Sequence, residues 1–203
     1  MVTEFKDTNY WALILGGSSG LGLASARKLA KHGMNIIIVH RDRKAELPDI
    51  EEAFDDIIEN SDVRLESFNI DATNAEKRVG IISDILKILG PEGKIRSLVH
   101  SIAKGNLKPM NGDEPTLENL DFQITIDAMA ISLYDWTKEI FKQGIFAKDA
   151  RIISFTSEGN KKVWKGYAAV SAAKVALEAI TRSIALEYAP YGIRANCIQA
   201  GVT

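Results

Sequence analysis

Cysteine is nearly absent from this chain of 203 residues, which contains only Cys197. No disulfide can therefore form within the chain. Cys197 lies in the apolar run of residues 195–198, and no histidine stands near it in the sequence. We expect a buried side chain that behaves as a small hydrophobic group rather than as a reactive thiol.

An excess of charge of either sign is also missing. The chain has 25 Lys and Arg against 27 Asp and Glu, and its net charge of −2 gives no support to nucleic-acid binding. No apolar run approaches the ~20 residues that cross a bilayer, and residues 1–8 do not resemble a secretion signal. His32, His40 and His100 have no metal-ligand spacing. We expect a cytoplasmic protein with no metal, no nucleic-acid partner and no membrane partner.

Short apolar runs alternate with longer helical patterns along the chain, which we interpret as a single domain over residues 1–203. This alternation predicts βαβ units and a parallel sheet, and wholly apolar strands predict helices on both of its faces. Strands are predicted at residues 11–15, 35–39, 63–70, 95–101, 151–155 and 193–198. Helices are predicted at residues 21–32, 49–60, 75–89 and 167–188, with a long helix within residues 117–146. Residues 104–116 predict a loop, either beside an active site or on an ordinary surface.

A glycine-rich turn separates the first strand from the first helix. Its glycines, Gly16, Gly20 and Gly22, have the spacing G-x-x-x-G-x-G. Glycine lets the backbone approach a pyrophosphate, and the helix N-terminus attracts its negative charge. The turn therefore predicts a dinucleotide site, although a tight turn with a purely structural role remains an alternative. The residues expected to contact the cofactor here are Gly16, Ser18, Ser19, Gly20, Leu21 and Gly22.

The end of the second predicted strand bears on which cofactor binds. An acidic residue there favours the ribose 2′-hydroxyl of NADH, whereas an arginine favours the 2′-phosphate of NADPH. Arg41 has the right position and geometry for a phosphate, with Arg43 as a helper, while Asp42 argues in the other direction. We expect NADPH to be preferred over NADH, and a solvated run of charges is the competing interpretation.

These motifs, together with Asp71, Ser157 and the Tyr167/Lys174 pair, resemble the short-chain dehydrogenase/reductase family. The resemblance runs from the first strand to the last residue and is strongest to the enoyl-acyl-carrier-protein reductases. Tyr167 stands seven residues before Lys174, which is the enoyl reductase spacing, and Val170 occupies the place of the tyrosine of other members. Residues 100–103, His-Ser-Ile-Ala, and residues 171–178 also resemble that branch. Serine at position 157 is similar to the NADPH-dependent type III enzymes.

The resemblance implies an α/β, doubly wound, Rossmann-like parallel sheet, from which the C-terminal part of the family fold is absent. It also implies a homotetramer that reduces the 2,3 double bond of enoyl thioesters with NADPH in fatty acid biosynthesis. The thioester is carried by acyl-carrier protein or CoA. The implied catalytic residues are Tyr167, Lys174 and Ser157. The further cofactor contacts that it implies are Asp71, Ala72, Ser101, Ile102, Lys174 and Thr203.

Three questions stay open at this point. A 3-oxoacyl-thioester or carbonyl reductase would use the same Ser, Tyr and Lys, and a non-catalytic NADPH-binding regulator is a further alternative. Asp71 is either a cofactor contact or the N-cap of the helix that begins at residue 75. Asp127 stands where most members of the family have an asparagine, which puts a water-relay role for this position in doubt.

Overall fold

A parallel sheet of six strands forms the centre of the fold in the computed structural model, which describes residues 4–113 and 115–201. The strands lie in the order β3-β2-β1-β4-β5-β6, which is the doubly wound, Rossmann-like arrangement predicted from the sequence. Their bounds are β1 Tyr10–Leu15, β2 Asn35–His40, β3 Leu65–Asn69, β4 Lys94–His100, β5 Phe146–Ser157 and β6 Arg194–Ala200.

Helices connect successive strands and lie within one to two residues of most of the predicted bounds. They are α1 Gly20–Lys31, α2 Leu47–Glu59, α3 Ala75–Leu89, α4 Asn119–Ile126, α5 Ser132–Lys142 and α6 Ala168–Glu187. A π-helical turn, Asp127–Ile131, joins α4 to α5 without a break. The long helix expected within residues 117–146 is therefore confirmed, and residues 104–113 and 115–116 lie outside helices and strands, as the predicted loop requires.

Both faces of the sheet are covered by helices, as the apolar strands indicate. On one face Ile14 and Ile38 are completely buried against α1 and α2. On the other face Leu13 and Leu98 are completely buried with side chains of α3, α5 and α6. Burial of each such side chain stabilises the fold by roughly 1.5–3 kcal/mol.

Two expectations about the later strands were wrong. Strand β5 begins five residues before its predicted start, because its pairing with β4 shifts between Phe146 and Arg151 and the polar residues in that irregularity hide the strand pattern. Cys197 is partly exposed rather than buried, since β6 lies at the edge of the described sheet and much of it is uncovered.

The sheet order reverses beside β1, where β2 lies on one side and β4 on the other. Loops that leave the carboxyl ends of these strands diverge there and open a crevice, the usual ligand site of such sheets. The glycine turn follows β1, Arg41 follows β2, Asp71 comes two residues after β3, and Ser101 follows β4. The topology therefore brings the predicted cofactor residues to one edge of the sheet.

Candidate cofactor groove and active site

The glycine turn has little room for side chains at two of its three glycines. A Cβ at Gly22 would lie 2.1 Å from the carbonyl oxygen of Gly16, and a Cβ at Gly16 would lie 2.7 Å from the carbonyl oxygen of Ser101. Gly16 and Gly20 also have positive φ angles of 81° and 53°, which other residues adopt at a cost. Ser19, the N-cap of α1, makes no side-chain capping bond. The N–H groups of this helix end are therefore free to bind an anion.

A single groove of about 1070 Å³ runs along the carboxyl edge of the sheet. This volume lies slightly above the range of ordinary ligand sites, roughly 300–1,000 Å³. The predicted site residues that line it are Gly16, Ser18, Ser19, Gly20, Leu21, Arg41, Asp71, Ala72, Ser101, Ile102, Ser157, Tyr167 and Lys174. Gly22 lies beneath the turn, and Thr203 lies outside the described residues. The structure therefore brings together nearly all of the predicted site.

Asp71 lies in the groove between two positive side chains. Its carboxylate accepts hydrogen bonds from the backbone and hydroxyl of Thr73, 3.0 and 2.6 Å long, and pairs with Arg41 at 2.6 Å and Lys104 at 3.7 Å. Burial raises the pKa of Asp71, but the Thr73 bonds and the two cations outweigh it and lower the pKa. The alternative role of Asp71 as a helix cap was wrong, because Asn74 caps α3. Lys104 was not predicted as a site residue.

The three predicted catalytic side chains meet at the other end of the groove. Ser157 is the last residue of β5, and Tyr167 is the N-cap of α6. Their hydroxyl oxygens are 3.4 Å apart. Lys174, about two turns further along α6, donates a hydrogen bond of 2.7 Å to the carbonyl oxygen of Phe155. Burial lowers the pKa of Lys174. Val170 is buried with Met129 and Ala173 and presents no polar group to this site.

Contacts around Tyr167 fix its ring. A Cβ at Gly159 would lie 2.3 Å from the ring, so glycine is required for this approach. Trp164 packs against the ring edge-on, with centroids 5.2 Å apart. Neither residue was predicted from the sequence, because the loop that carries them has no periodic pattern.

Glu178 ties the end of β5 to α6. Its Oε1 accepts a 2.6 Å hydrogen bond from the Thr156 hydroxyl and a second bond from the Asn160 amide. These partners stand on either side of Ser157, so Glu178 holds the backbone that carries the serine. In the sequence, Glu178 belongs to a segment that resembles the enoyl reductases, and this role was not predicted.

His100 is fully buried behind the groove. Its Nε2 lies 2.7 Å from the Ser132 hydroxyl, which donates its hydrogen to the carbonyl oxygen of Ala128. A hydroxyl has only one hydrogen, so the histidine must be the donor of the first bond. Burial, with a smaller contribution from the charge of Lys174, lowers the pKa of His100 to about 3. His100 is therefore neutral at physiological pH.

Asp127 and Cys197 both lack the features of a functional residue in this site. Asp127 is exposed, begins the π-helical turn and does not line the groove, so nothing supports a relay to Lys174. Burial raises the pKa of the Cys197 thiol, which disfavours a reactive thiolate.

Within residues 4–113 and 115–201, no three His, Cys, Asp or Glu side chains are grouped as metal ligands. None of the helices in those ranges is long and apolar enough to cross a membrane.

Comparison with known proteins decides the family. A family model described as enoyl-(acyl carrier protein) reductase matches residues 16–203. The chain belongs to the short-chain dehydrogenase/reductase family. It is accordingly an oxidoreductase, of a family whose enzymes depend on NAD(P)H.

Relatives of this short-chain dehydrogenase/reductase have different activities. Oxidoreductase UcpA of Salmonella typhimurium is 30% identical over 199 residues, which are 97% of this chain and 70% of UcpA. The 7alpha-hydroxysteroid dehydrogenase of Paraclostridium sordellii is 31% identical over 201 residues, with the same two coverages. A dehydrogenase/reductase structure from Sinorhizobium meliloti 1021 superposes with a TM-score of 0.83 at 25% identity, over 99% of this chain and 75% of that one. Membership of the family therefore does not identify the substrate.

Proposed function

We propose that the protein reduces the 2,3 double bond of an enoyl thioester, bound to acyl-carrier protein or CoA, with NADPH. The position of Tyr167 is the observation that carries this proposal. Its hydroxyl lies in the groove beside Ser157, seven residues before Lys174, while Val170 at the alternative position is buried in the core. This is the arrangement that the resemblance to enoyl reductases implies.

The groove has the features that a nicotinamide dinucleotide needs. Glycine at positions 16 and 22 allows a close approach of backbone segments that a Cβ would prevent. The start of α1, which has no side-chain cap, suits a pyrophosphate. Arg41 and Lys104 offer positive charge at the end of the groove near β2, which suits a 2′-phosphate. Lys174 lies at the opposite end, where its ammonium could also bind ribose hydroxyls.

The chain's own side chains supply the polarisation that the reaction needs. The chemistry that a bound NADPH supplies is hydride transfer to the β-carbon, which moves the double-bond electrons toward the thioester carbonyl. Tyr167 would donate a hydrogen bond to the resulting enolate oxygen, and Ser157 would add a second one. Lys174 would stabilise this negative charge through its ammonium. A proton added at the α-carbon, with Tyr167 as a proton source, completes the saturated thioester.

Reduction of a 3-oxoacyl thioester or another carbonyl compound is the second candidate. The 3.4 Å approach of Ser157 to Tyr167 would serve it equally well, because two hydroxyls at that separation can both bind a ketone oxygen. In that reaction the hydride adds to the carbonyl carbon, and Tyr167 protonates the oxygen.

A direct test compares NADPH oxidation with a 2-enoyl thioester and a 3-oxoacyl thioester, each offered as the CoA and the acyl-carrier-protein derivative. The proposal predicts oxidation with the enoyl substrates. Oxidation with only the 3-oxo substrates would replace it by the second candidate. If the protein binds NADPH but none of these substrates supports NADPH oxidation, a non-catalytic NADPH-binding regulator becomes the better account. The homotetramer and the cytoplasmic location remain predictions.

A further inference from the structure

Acidic side chains stand beside the basic ones where the groove meets β2 and β3. The charged side chains that line this ribose corner, as we call it, are Arg41, Asp42, Arg43, Glu46, Asp71 and Lys104. Its formal charges cancel, so charge alone does not favour a 2′-phosphate. Selectivity therefore depends on how the carboxylates are held.

Asp42 is held by a buried histidine. The Nδ1 of His40 lies 2.6 Å from the Asp42 carboxylate, and His40 itself is only 4% exposed. A carboxylate can only accept, so Nδ1 carries the hydrogen and donates it. The ring is also fixed by an edge-on contact with Phe54, at 5.7 Å between centroids. His40 thus restrains the carboxylate of the residue that follows Arg41 in the sequence.

The backbone of Asp42 is fixed independently of that bond. Its N–H donates to the Asn69 side chain at 3.0 Å, and its carbonyl oxygen accepts from the Asn69 amide at 3.1 Å. Loss of the His40 bond would therefore free the carboxylate while the loop stays in place. Asp42 lines the groove, so a released carboxylate could turn toward a ligand bound there.

Arg41, in contrast, can change partners readily. Its pair with Asp71 is at the surface, with 60% of the arginine side chain exposed, and exposed pairs of this kind contribute only about 0–1 kcal/mol. A phosphate, which carries up to two negative charges, can compete with Asp71 for the guanidinium. A freed Asp42 carboxylate would repel that phosphate and would accept the hydrogen of a 2′-hydroxyl instead.

We infer that His40 is a specificity-determining residue that favours NADPH over NADH by holding the Asp42 carboxylate away from the 2′ position of the adenosine ribose. The inference rests on the proposed use of NADPH. It assigns no catalytic role to His40, which acts as a positioning residue through Asp42.

The test measures binding of 2′,5′-ADP and 5′-AMP by calorimetry, together with the dissociation constants of NADPH and NADH, without any acyl substrate. His40→Leu removes the donor, and His40→Asn retains an N–H near the position of Nδ1. The double variant His40→Leu/Asp42→Asn removes the released charge as well. Thermal unfolding of each variant checks that it is folded.

His40→Leu is expected to lower the NADPH-to-NADH affinity ratio about 10-fold, the equivalent of roughly 1.4 kcal/mol. His40→Asn should stay within about 3-fold of the wild type, and the double variant should recover most of the ratio. An unchanged ratio in folded His40→Leu, or an equal loss of both affinities that the double variant does not restore, would overturn the inference. A wild-type protein that prefers NADH would refute the proposed cofactor and this inference together, whereas a failed enoyl assay leaves the binding result intact.

Discussion

Acidification should expose the cost of burying His100. Its pKa falls from 6.5 to about 3 in the folded protein, so the unfolded chain takes up a proton there long before the folded one does. The stabilisation by the neutral imidazole is complete above pH 6.5 and is lost as the pH falls toward 3. The loss grows by about 1.4 kcal/mol for each pH unit in this window, to about 3 kcal/mol at pH 4.5. That is a large part of a typical stability of about 5–15 kcal/mol.

The matching variant is His100→Gln, whose amide can still donate to Ser132 but does not titrate. Urea unfolding followed by tryptophan fluorescence is suitable, because Trp11 and Trp136 are fully buried. Between pH 7.5 and 4.5 the free energy of unfolding should fall by about 3 kcal/mol more in the wild type than in His100→Gln. All other groups that titrate are shared by the two proteins. Parallel pH dependences would refute the assignment of a buried neutral imidazole.

Three further results are expected. Gly22→Ala should weaken NADPH binding at least ~10-fold in a fluorescence titration, because the new Cβ collides with the Gly16 carbonyl oxygen. The control Gly80→Ala should bind NADPH normally, because a Cβ at Gly80 meets open space. Glu178→Ala should lower kcat about 10-fold with little change in NADPH affinity, since the Ser157 backbone loses its support. Glu178→Gln should lower kcat less, and a Glu178→Ala variant as active as the wild type would contradict this role. If activity needs the Lys174 ammonium, it should decline with rising pH below pH 10.5, because burial lowers the pKa of Lys174 from the ordinary value of 10.5. A pH profile that stays flat up to pH 10.5 would exclude a requirement for the ammonium.

Local patterns in the sequence predicted the sheet, its helices and the glycine turn, whereas most other residues of the groove were predicted from the resemblance to the short-chain dehydrogenase/reductase family. The glycine turn could be interpreted because its function needs backbone positions that are close together in the sequence. Tyr167 and Lys174 could be paired because their seven-residue spacing matches a motif of the family. These signals are local and survive without knowledge of the packing.

Contacts between distant segments could not be predicted in this way. His100 and Ser132 come from different elements, and the bond from Glu178 to Thr156 depends on how α6 packs against β5. The exposure of Cys197 depends on its edge strand, which an apolar run does not reveal. The partner of Asp42 is only two residues away, but the packing of His40 against Phe54 of α2 is again a contact between distant segments.

The most direct test of the central claim is enoyl-thioester-dependent NADPH oxidation by Tyr167→Phe. The control is Tyr191→Phe, because Tyr191 is 60% exposed and packs against Phe141 outside the groove. Removal of a hydroxyl that polarises the substrate should lower kcat/KM by about 100-fold or more while NADPH still binds, and the control should behave as the wild type. If Tyr167→Phe retains activity within about 3-fold of the wild type, Tyr167 is not the catalytic tyrosine and the account is wrong.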